Sequence, residues 1–303
     1  MSLSNKSSLT IIVPLFNQAI YVEECLSSIE KITSIDMVQL IIIDDCSKDK
    51  SVDIVEAWLA KPRMHSQINF DILFLKNEVN LGICASLNKA LSFAKFDIIS
   101  LCAADDILLP DSLSKKVAKL KESNYDALLS DVYIINEHSE IVSKNAYKSY
   151  FKANTKALSN DSFLVGEIIT NWCIPGPSAL IKRTAYEKIG NYNTKLMAED
   201  REFYLRLFRD CNVTFDFEPI AAYRIHSTNI SKESTFRKKM NEEIRATNAL
   251  HSIYWIGINK WFLYSYSLGD RNGVIVEKIL YFYSCIIRRI LRSAFKIKVF
   301  FLA

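Results

Sequence analysis

Two adjacent carboxylates, Asp105 and Asp106, stand shortly after an apolar run at residues 96–102. Mg²⁺ and Mn²⁺ prefer oxygen ligands and bridge protein carboxylates to substrate phosphates, so the pair predicts a site for such a cation. Asp also favours turns and helix caps, and a cap for a helix starting near Asp111 explains the same residues. On these residues alone the two explanations are about equally favoured.

A second acid pair, Asp44 and Asp45, follows the apolar run at residues 38–43. A carboxylate there can accept a hydrogen bond from the ring N–H of a uracil or from a ribose hydroxyl. Ser47 is explained equally well as the N-cap of a helix that begins near Lys50. Taken alone the pattern favours the cap, and only the other acids in the chain give it functional weight.

Asp200, preceded by Glu199, stands where a helix is predicted to begin. An acid in the first turn of a helix is stabilised by the macrodipole, so capping explains it. The functional alternative is a general base that takes the proton of an attacking hydroxyl. Glu199 would then support that base or contact the acceptor.

Three further positions have a functional and a structural interpretation. His226 could be another metal or diphosphate ligand, although an isolated His is usually structural or merely exposed. Trp172 could stack on the apolar face of a sugar, with Gly176 and Ser178 in the same acceptor-facing wall. A loop Trp is as often a packing anchor.

The common nucleotide fingerprints are absent. With seven glycines the chain contains neither G-x-G-x-x-G nor G-x-x-x-x-G-K-[ST], so something other than a Gly-rich loop must neutralise phosphates. The seven cysteines include no C-x-x-C pair and suggest no disulfide framework, and the N-terminus resembles no signal peptide. We therefore expect a cytoplasmic protein.

Short, nearly continuous apolar runs predict the elements that position these residues. Such runs are typical of strands buried on both faces, and they occupy residues 9–13, 38–43, 70–75, 96–102 and 127–135. Helical patterns lie between them, which indicates an α/β layered domain with a mainly parallel sheet. Because ligands bind beyond the carboxyl ends of such strands, the polar residues there should converge. A strand pair is predicted at residues 213–217 and 221–225.

The C-terminal part is basic. Residues 231–303 carry thirteen Lys/Arg against five Asp/Glu. Lys260 and several polar residues argue against a transmembrane helix at residues 246–269. Residues 274–301 mix apolar and basic side chains and favour an amphipathic helix on the inner face of the cell membrane. The alternative is that the apolar stripe packs on the catalytic domain.

Taken in order, these stretches resemble the family 2 glycosyltransferases with the GT-A fold. The resemblance covers about residues 9–230. It rests on Ile12-Val13-Pro14-Leu15-Phe16-Asn17, Ile42-Ile43-Asp44-Asp45-Cys46-Ser47-Lys48-Asp49, Asn80-Leu81-Gly82, Ala104-Asp105-Asp106-Ile107, Pro177-Ser178-Ala179, Glu199-Asp200 and Tyr223-Arg224-Ile225-His226.

The resemblance implies an α/β, GT-A type, Rossmann-like layered domain with a mixed, mainly parallel sheet and a C-terminal helical extension. Residues 1–230 would form the catalytic domain, with the nucleotide-binding part at about 1–135 and the acceptor-binding part at about 136–230. Residues 231–303 would form the basic helical extension.

The resemblance also implies an inverting hexosyl- or N-acetylhexosaminyltransferase that uses a nucleotide-sugar, expected to be UDP-linked. The acceptor would be a glycan or a polyprenyl-linked or other lipid-linked molecule in surface polysaccharide or glycolipid synthesis, and no nucleic acid is expected as a partner. The expected donor-binding residues are Pro14, Asn17, Asp44, Asp45, Asn80 and Asp105. The expected ligands of Mn²⁺ or Mg²⁺ are Asp105, Asp106 and His226. Asp200 would be the base, and Trp172, Gly176, Ser178 and Glu199 would contact the acceptor.

One position departs from the family's commoner Asp-x-Asp-Asp pattern, because Ala103 stands at its first acid. This gives slight support to a non-catalytic scaffold on a decayed transferase fold, although the retained Asp105, Asp106 and Asp200 argue for activity. A related metal-dependent nucleotidyltransferase is a further alternative. It should show a basic phosphate-binding loop after the first strand, where residues 14–17 are not basic.

Overall fold

A computed structural model describes residues 7–61, 69–197, 199–226, 234–268, 275–283, 285–287 and 289. Its contacts divide the chain into two compact units. The first unit comprises Met1–Ala146, Pro175–Glu199 and Cys211–His226, and the second comprises Tyr147–Ile174, Asp200–Asp210 and Ser227–Ala303. These boundaries do not follow the functional division predicted at residue 230, which stays a prediction.

Strands and helices alternate along the first half of the chain, as the apolar runs predict. In chain order the elements are β1 Ser8–Leu15, α1 Val22–Glu30, β2 Met37–Asp44, α2 Ser51–Ala60, β3 Asn69–Lys76, α3 Ile83–Leu91, β4 Ile98–Leu101, β5 Ile107–Leu108, α4 Pro110–Lys121, β6 Ala127–Ile135, β7 Ile141–Ser143, α5 Thr155–Leu158, α6 Asp161–Thr170, β8 Ala179–Lys182, α7 Arg183–Ile189, α8 Asp200–Asp210, β9 Val213–Arg224, α9 Ser234–Ser252 and α10 Gly257–Leu268.

The nine strands of the described residues all lie in the first unit and form one sheet. Their order is β3-β2-β1-β4-β8-β6-β9-β5, and β7 pairs with β6. β3, β2, β1 and β4 are parallel, as are β6 and β9, whereas β8 is antiparallel to both of its neighbours. The predicted mixed, mainly parallel α/β architecture is therefore confirmed. The centres of β1 and β2 are fully buried, which explains why their sequences are continuously apolar.

The strand register brings the predicted polar residues to one edge of the sheet. Asp44 lies beside Leu15 of β1 and beside Lys76 of β3, so the loops that follow these three strands begin at the same level. At β5 the short antiparallel pairing of Ile107 with Ala222 brings the Asp105-Asp106 turn next to the end of β9.

The strand pair predicted at residues 213–217 and 221–225 is wrong, because β9 is a single strand over Val213–Arg224. Both halves run parallel to the same partner, β6, so the chain does not reverse between them. The register jumps instead, from Ser130 opposite Asp216 to Val132 opposite Ala221. Residues 217–220 form a bulge in β9 at this register shift. Pro219, a residue common in turns, makes this bulge look like a turn between two strands in the sequence.

The second unit contains helices only, among the residues that the structure describes. α8 begins at Asp200, as predicted, and buries Phe203, Leu207 and Phe208. α10 packs against α6 and α9. Residues 275–283 and 285–287 are also helical, whereas the rest of the predicted amphipathic segment to residue 301, apart from residue 289, lies outside the described residues. No described helix is both long and apolar enough to cross a bilayer.

Candidate active site

Asp45 holds the loop that follows β3. Its carboxylate accepts hydrogen bonds from the backbone N–H groups of Leu81 and Gly82, both at 2.8 Å, and from Asn77 Nδ2 at 2.9 Å. Gly82 has a φ of +82°, a conformation that favours glycine, which lets the backbone turn toward the carboxylate. The Gly82 N–H also donates to the side-chain oxygen of Asn80, at 3.1 Å.

Asp44 and Asn17 organise the loops that follow β2 and β1. The Ser47 N–H donates to both carboxylate oxygens of Asp44, at 3.1 and 3.3 Å. Asn17 has a φ of +53°, its side-chain oxygen accepts from the Lys48 N–H at 2.7 Å, and its own N–H donates to Ser47 Oγ at 2.9 Å. Ser47 therefore joins two loops and does not cap α2, so the simple N-cap explanation is wrong.

The Asp105-Asp106 pair forms a turn, in which the Asp106 N–H donates to Ala103 O at 2.9 Å. It does not cap α4, which follows Leu109 without a side-chain cap. The turn lies beside β1 because the Ala104 N–H donates to Pro14 O at 3.2 Å. The prediction that Asp105 and Asp106 form a turn is therefore correct for the backbone. It does not account for the positions of the two carboxylates.

Each of these carboxylates faces the end of β9. Asp105 Oδ2 lies 3.0 Å from His226 Nε2, and Asp106 Oδ1 accepts the Arg224 N–H at 2.9 Å. Burial raises the pKa of Asp106 well above its ordinary value, and the charge of Asp105 raises it further. The Arg224 N–H and guanidinium act in the opposite direction. The protein alone therefore disfavours the charged form of Asp106, and a cation bound to the two acids would stabilise it.

The donor set fits a hard cation that is completed by substrate oxygens. The described residues contain no preassembled cluster of three or more His, Cys, Asp or Glu side chains. Mg²⁺, however, is usually held by one or two carboxylates together with substrate phosphates. His226 could join only if its Nε2 gave up the contact with Asp105, because a ligating nitrogen carries no proton.

Arg224 is the main residue of this region that sequence reasoning passed over. Its side chain is 1% exposed, donates to Asp105 O at 2.7 Å and pairs with Glu24 at 2.7 Å. The sequence did contain a signal for Arg224, because it stands at the end of an apolar strand, two residues before His226. A charge buried there would be unfavourable unless it were paired. Glu24 gave no signal, because an exposed acid in a helix is ordinary.

In the second unit, Asp200 lies against Trp172. The indole N–H of Trp172 donates to Asp200 Oδ2 at 3.2 Å, and the Arg201 guanidinium lies 4.7 Å from the centre of the indole ring. Arg201 in turn donates to Asn248 Oδ1 and Ile169 O, both at 3.1 Å. Trp172 is therefore packed and hydrogen-bonded beside the predicted base. Whether its ring also meets a sugar stays a prediction.

The other predicted acceptor residues belong to the first unit. Gly176 is exposed, and a Cβ placed on it would lie 3.9 Å from Asp106 Oδ2. Ser178 is fully buried and donates to Pro175 O at 2.7 Å. Glu199 is half-buried at the end of this unit's second segment. Their contact with an acceptor stays a prediction.

The sequence is similar to known transferases over most of its length. A family model described as Glycosyl transferase family 2 matches residues 10–227. The uncharacterized glycosyltransferase MJ1057 of Methanocaldococcus jannaschii is 30% identical over 228 residues, or 73% of this chain and 72% of that protein. The O-antigen biosynthesis glycosyltransferase WbnJ of Escherichia coli is 26% identical over 152 residues, or 49% of this chain and 56% of that protein.

Solved structures share the fold at lower identity. S. aureus TarS 1-349, in complex with UDP-GlcNAc, superposes with a TM-score of 0.62 and 18% identity over 90% of this chain and 76% of that one. The mannosyltransferase PcManGT of Pyrobaculum calidifontis, in complex with GDP-Man and Mn²⁺, gives a TM-score of 0.58 and 14% identity over 94% and 85%.

Proposed function

This chain belongs to glycosyl transferase family 2 and is a glycosyltransferase, and from that premise we propose that it is an inverting enzyme that uses a UDP-sugar. The observation that carries the proposal is the convergence of two acid pairs, Asp44-Asp45 and Asp105-Asp106, at one edge of the sheet. Because the chain belongs to glycosyl transferase family 2, the alternative that it is a nucleotidyltransferase loses its support.

The nucleoside would bind at the loops that follow β1, β2 and β3, and the diphosphate at the Asp105-Asp106 turn. Pro14, Asn17, Asp44, Asp45 and Asn80 lie in or directly before those loops, which are joined by the hydrogen bonds described above. The crystallised TarS protein binds UDP-GlcNAc on the same fold, which supports a UDP-linked donor.

Asp105 and Asp106, with His226 as a third ligand, would hold Mn²⁺ or Mg²⁺. The raised pKa of Asp106 means that the protein alone disfavours its charged form, which a bound cation would favour, and Asp105 lies 3.0 Å from His226. A divalent cation bound there would neutralise the negative charge of the diphosphate as it leaves. The solved structure of PcManGT, which has the same fold, is a complex with GDP-Man and Mn²⁺.

Asp200 would act as the general base. Its Oδ2 is held by the Trp172 indole N–H, and its position at the start of α8 leaves the side chain partly exposed. It would take the proton of an acceptor hydroxyl as that oxygen attacks the anomeric carbon opposite the departing UDP. A single displacement of this kind inverts the configuration of the sugar.

A panel of nucleotide-sugars with Mn²⁺ or Mg²⁺, scored by release of the nucleoside diphosphate, tests the proposal. UDP release from at least one UDP-sugar is expected, and no release from any donor would support a non-catalytic scaffold. Asp200→Asn should lower transfer by about 10²- to 10⁴-fold, the usual contribution of a general base, with unchanged UDP binding. Asp210→Asn, at the other end of α8, is the matched control and should leave transfer unchanged.

The acceptor is proposed to be a hydroxyl of a glycan or of a lipid-linked precursor of a surface polysaccharide. WbnJ acts in O-antigen biosynthesis, which supports this class. Peripheral binding to an anionic membrane would give access to a lipid-linked acceptor, and the helical residues 275–283 support such binding. Their exposed apolar side chains recur at helical spacing and are 49–76% exposed: Ile275, Val276, Ile279, Phe282 and Tyr283.

Cosedimentation with vesicles tests the membrane proposal. The full chain should bind vesicles that contain phosphatidylserine and should bind neutral phosphatidylcholine vesicles more weakly. Ile279→Glu combined with Phe282→Glu should abolish this binding, whereas Val142→Glu, at an exposed apolar position of the first unit, should not. Equal binding by the double variant would contradict the proposal.

A further inference from the structure

Arg224 contacts both members of the Asp105-Asp106 pair, by two different parts of the same residue. Its backbone N–H donates to the Asp106 carboxylate at 2.9 Å, and its side-chain Nε donates to the Asp105 carbonyl at 2.7 Å. One residue of β9 thus holds the carboxylate of one acid and the backbone of the other. The guanidinium of Arg224 therefore positions the backbone of Asp105, and the backbone of Arg224 positions the carboxylate of Asp106.

The rest of the guanidinium is held by two segments that are distant in sequence. Nη2 donates to Glu24 Oε2 at 2.7 Å, and Nη1 donates to Asn136 O at 3.2 Å and to Ser139 Oγ at 2.9 Å. Ser139 Oγ also donates to the same Glu24 oxygen, at 2.8 Å. The Tyr21 ring packs over the guanidinium at 4.6 Å and lies 4.9 Å from the ring of His226.

The charge of this arrangement matters as much as its geometry. An unpaired guanidinium beside Asp105 and Asp106 would repel a divalent cation and compete with it for the two acids. Glu24 pairs with Arg224 through Nη2, whereas the turn is contacted through Nε, so the positive charge is compensated by a separate acid. The two carboxylates are then left to bind a cation without competition from an unpaired guanidinium.

We propose that Arg224, compensated by Glu24, is a positioning residue that sets the cation affinity of the Asp105-Asp106 turn. The inference rests on the proposed function in one respect, because it takes the turn to be a cation site. It adds to that function a buried arginine and a surface glutamate as determinants of cation affinity. Lysine cannot replace this arginine, since an ammonium group cannot donate in a fixed fork to four acceptors in different directions.

The test is direct Mn²⁺ binding, followed through the loss of the electron paramagnetic resonance signal of free Mn²⁺ in the presence of UDP. Substituting a residue that holds a metal ligand in place typically lowers metal affinity by about 10- to 100-fold. We expect a loss of Mn²⁺ affinity of that size for Arg224→Lys. Glu24→Gln should weaken Mn²⁺ binding by about threefold to tenfold, because the half-exposed carboxylate is partly screened.

Two matched controls separate this role from general damage. Glu23 is the neighbour of Glu24 on α1 but pairs with Lys61 at the surface, so Glu23→Gln should leave Mn²⁺ binding unchanged. Arg201 is a buried arginine of the second unit, and Arg201→Lys should also leave it unchanged. A purely structural role of Arg224 would lower the melting temperature of the variant without changing the Mn²⁺ affinity of its folded fraction.

The remaining outcomes are equally decisive. If Arg224→Lys does not fold, Glu24→Gln and Ser139→Ala carry the test, because both alter the pairing while Arg224 stays in place. Unchanged Mn²⁺ affinity in both, with normal binding by the parent protein, would overturn the inference and leave the proposed function intact. Absence of Mn²⁺ binding by the parent protein, with UDP release still observed, would remove the cation site and this inference with it.

Discussion

The two acid pairs of the first unit have the same residues and opposite surroundings. Asp44 and Asp45 accept hydrogen bonds from three backbone N–H groups and one amide, all from loops that follow β2 and β3. The Asp106 carboxylate accepts one backbone N–H, and the Asp105 carboxylate contacts one imidazole. The Arg224 guanidinium lies nearby, bonded to the Asp105 carbonyl. The first pair is largely satisfied by the fold, whereas the charged form of the second pair has fewer protein donors.

The contrast shows that the donors around a carboxylate, and not the residue type, decide what it can do. A carboxylate surrounded by backbone N–H groups fixes loops and leaves few oxygen lone pairs for a ligand. A buried acid next to another acid has a raised pKa and is stabilised by an added positive charge. We therefore expect substitutions in the first pair to affect mainly stability and nucleoside binding, and those in the second to affect mainly catalysis.

Among substitutions in the two acid pairs, the largest effect should follow from Asp105→Ala. Removing one group that stabilises developing charge lowers turnover by about 10²- to 10³-fold in well-studied sites, and we expect a loss of that size in UDP release. The melting temperature should hardly change, because Asp105 has few protein donors. A variant that keeps its turnover but loses stability would reverse the assignment of the two pairs.

Asp45→Ala should have the opposite profile. It removes the acceptor of the Leu81 N–H and of an Asn77 amide N–H, and one of the two acceptors of the Gly82 N–H, and an unsatisfied buried donor costs about 1–3 kcal/mol. We expect the free energy of unfolding to fall by about 3 kcal/mol, measured from urea denaturation. Asp44→Ala removes the acceptor of a single N–H and should cost less, so an equal loss in the two variants would contradict the expected ranking.

The smallest expected effect is a pH dependence that belongs to the second pair. Because the pKa of Asp106 is raised in the folded protein, the folded state binds more protons than the unfolded state above the ordinary Asp value of about 4. This group therefore lowers stability as pH rises from about 4 through its folded pKa. As pH rises from about 5 to 8, the urea midpoint of Asp106→Asn should fall less than that of the parent protein. An identical slope would argue against the raised pKa.

Low pH should destabilise the protein through other groups. The loss of stability toward low pH is therefore distinct from the loss that Asp106 causes as pH rises. The pKa of Glu202 and that of Asp216 are lowered to about 2, where the favourable bonds to His251 and Arg206, and to Lys116 and Lys119, outweigh burial. Their contribution to stability is present above the unfolded values of about 4 and is lost as pH falls toward about 2.

The sequence predicts the sheet well because its strands are continuous apolar runs and because parallel strands place their carboxyl ends together. Asp45, Asp105 and Asn17 could therefore be assigned to one edge from the sequence alone. The hydrogen bonds of Asp45 to Leu81 and Gly82 could not, because they depend on the φ of a glycine in another loop.

The network of Arg224 was beyond sequence reasoning for a related reason. Its partners come from residues 24, 105, 136 and 139, whose spacing in sequence has no regular period. The single long strand β9 was missed because Pro219 and the polar residues around it resemble a turn, while the pairing with β6 keeps the direction of the chain.

Comparing uridine and UDP as ligands, with and without Mn²⁺, tests the contrast between the two acid pairs most directly. Calorimetry should show that uridine binds with the same affinity in both conditions, because the nucleoside site that we propose comprises only the loops around Asp44 and Asp45. UDP should bind at least about tenfold more tightly with Mn²⁺, and Asp105→Ala should abolish that gain. Equal UDP affinity with and without Mn²⁺ in the parent protein, or a gain that survives Asp105→Ala, would contradict a cation site at the Asp105-Asp106 turn.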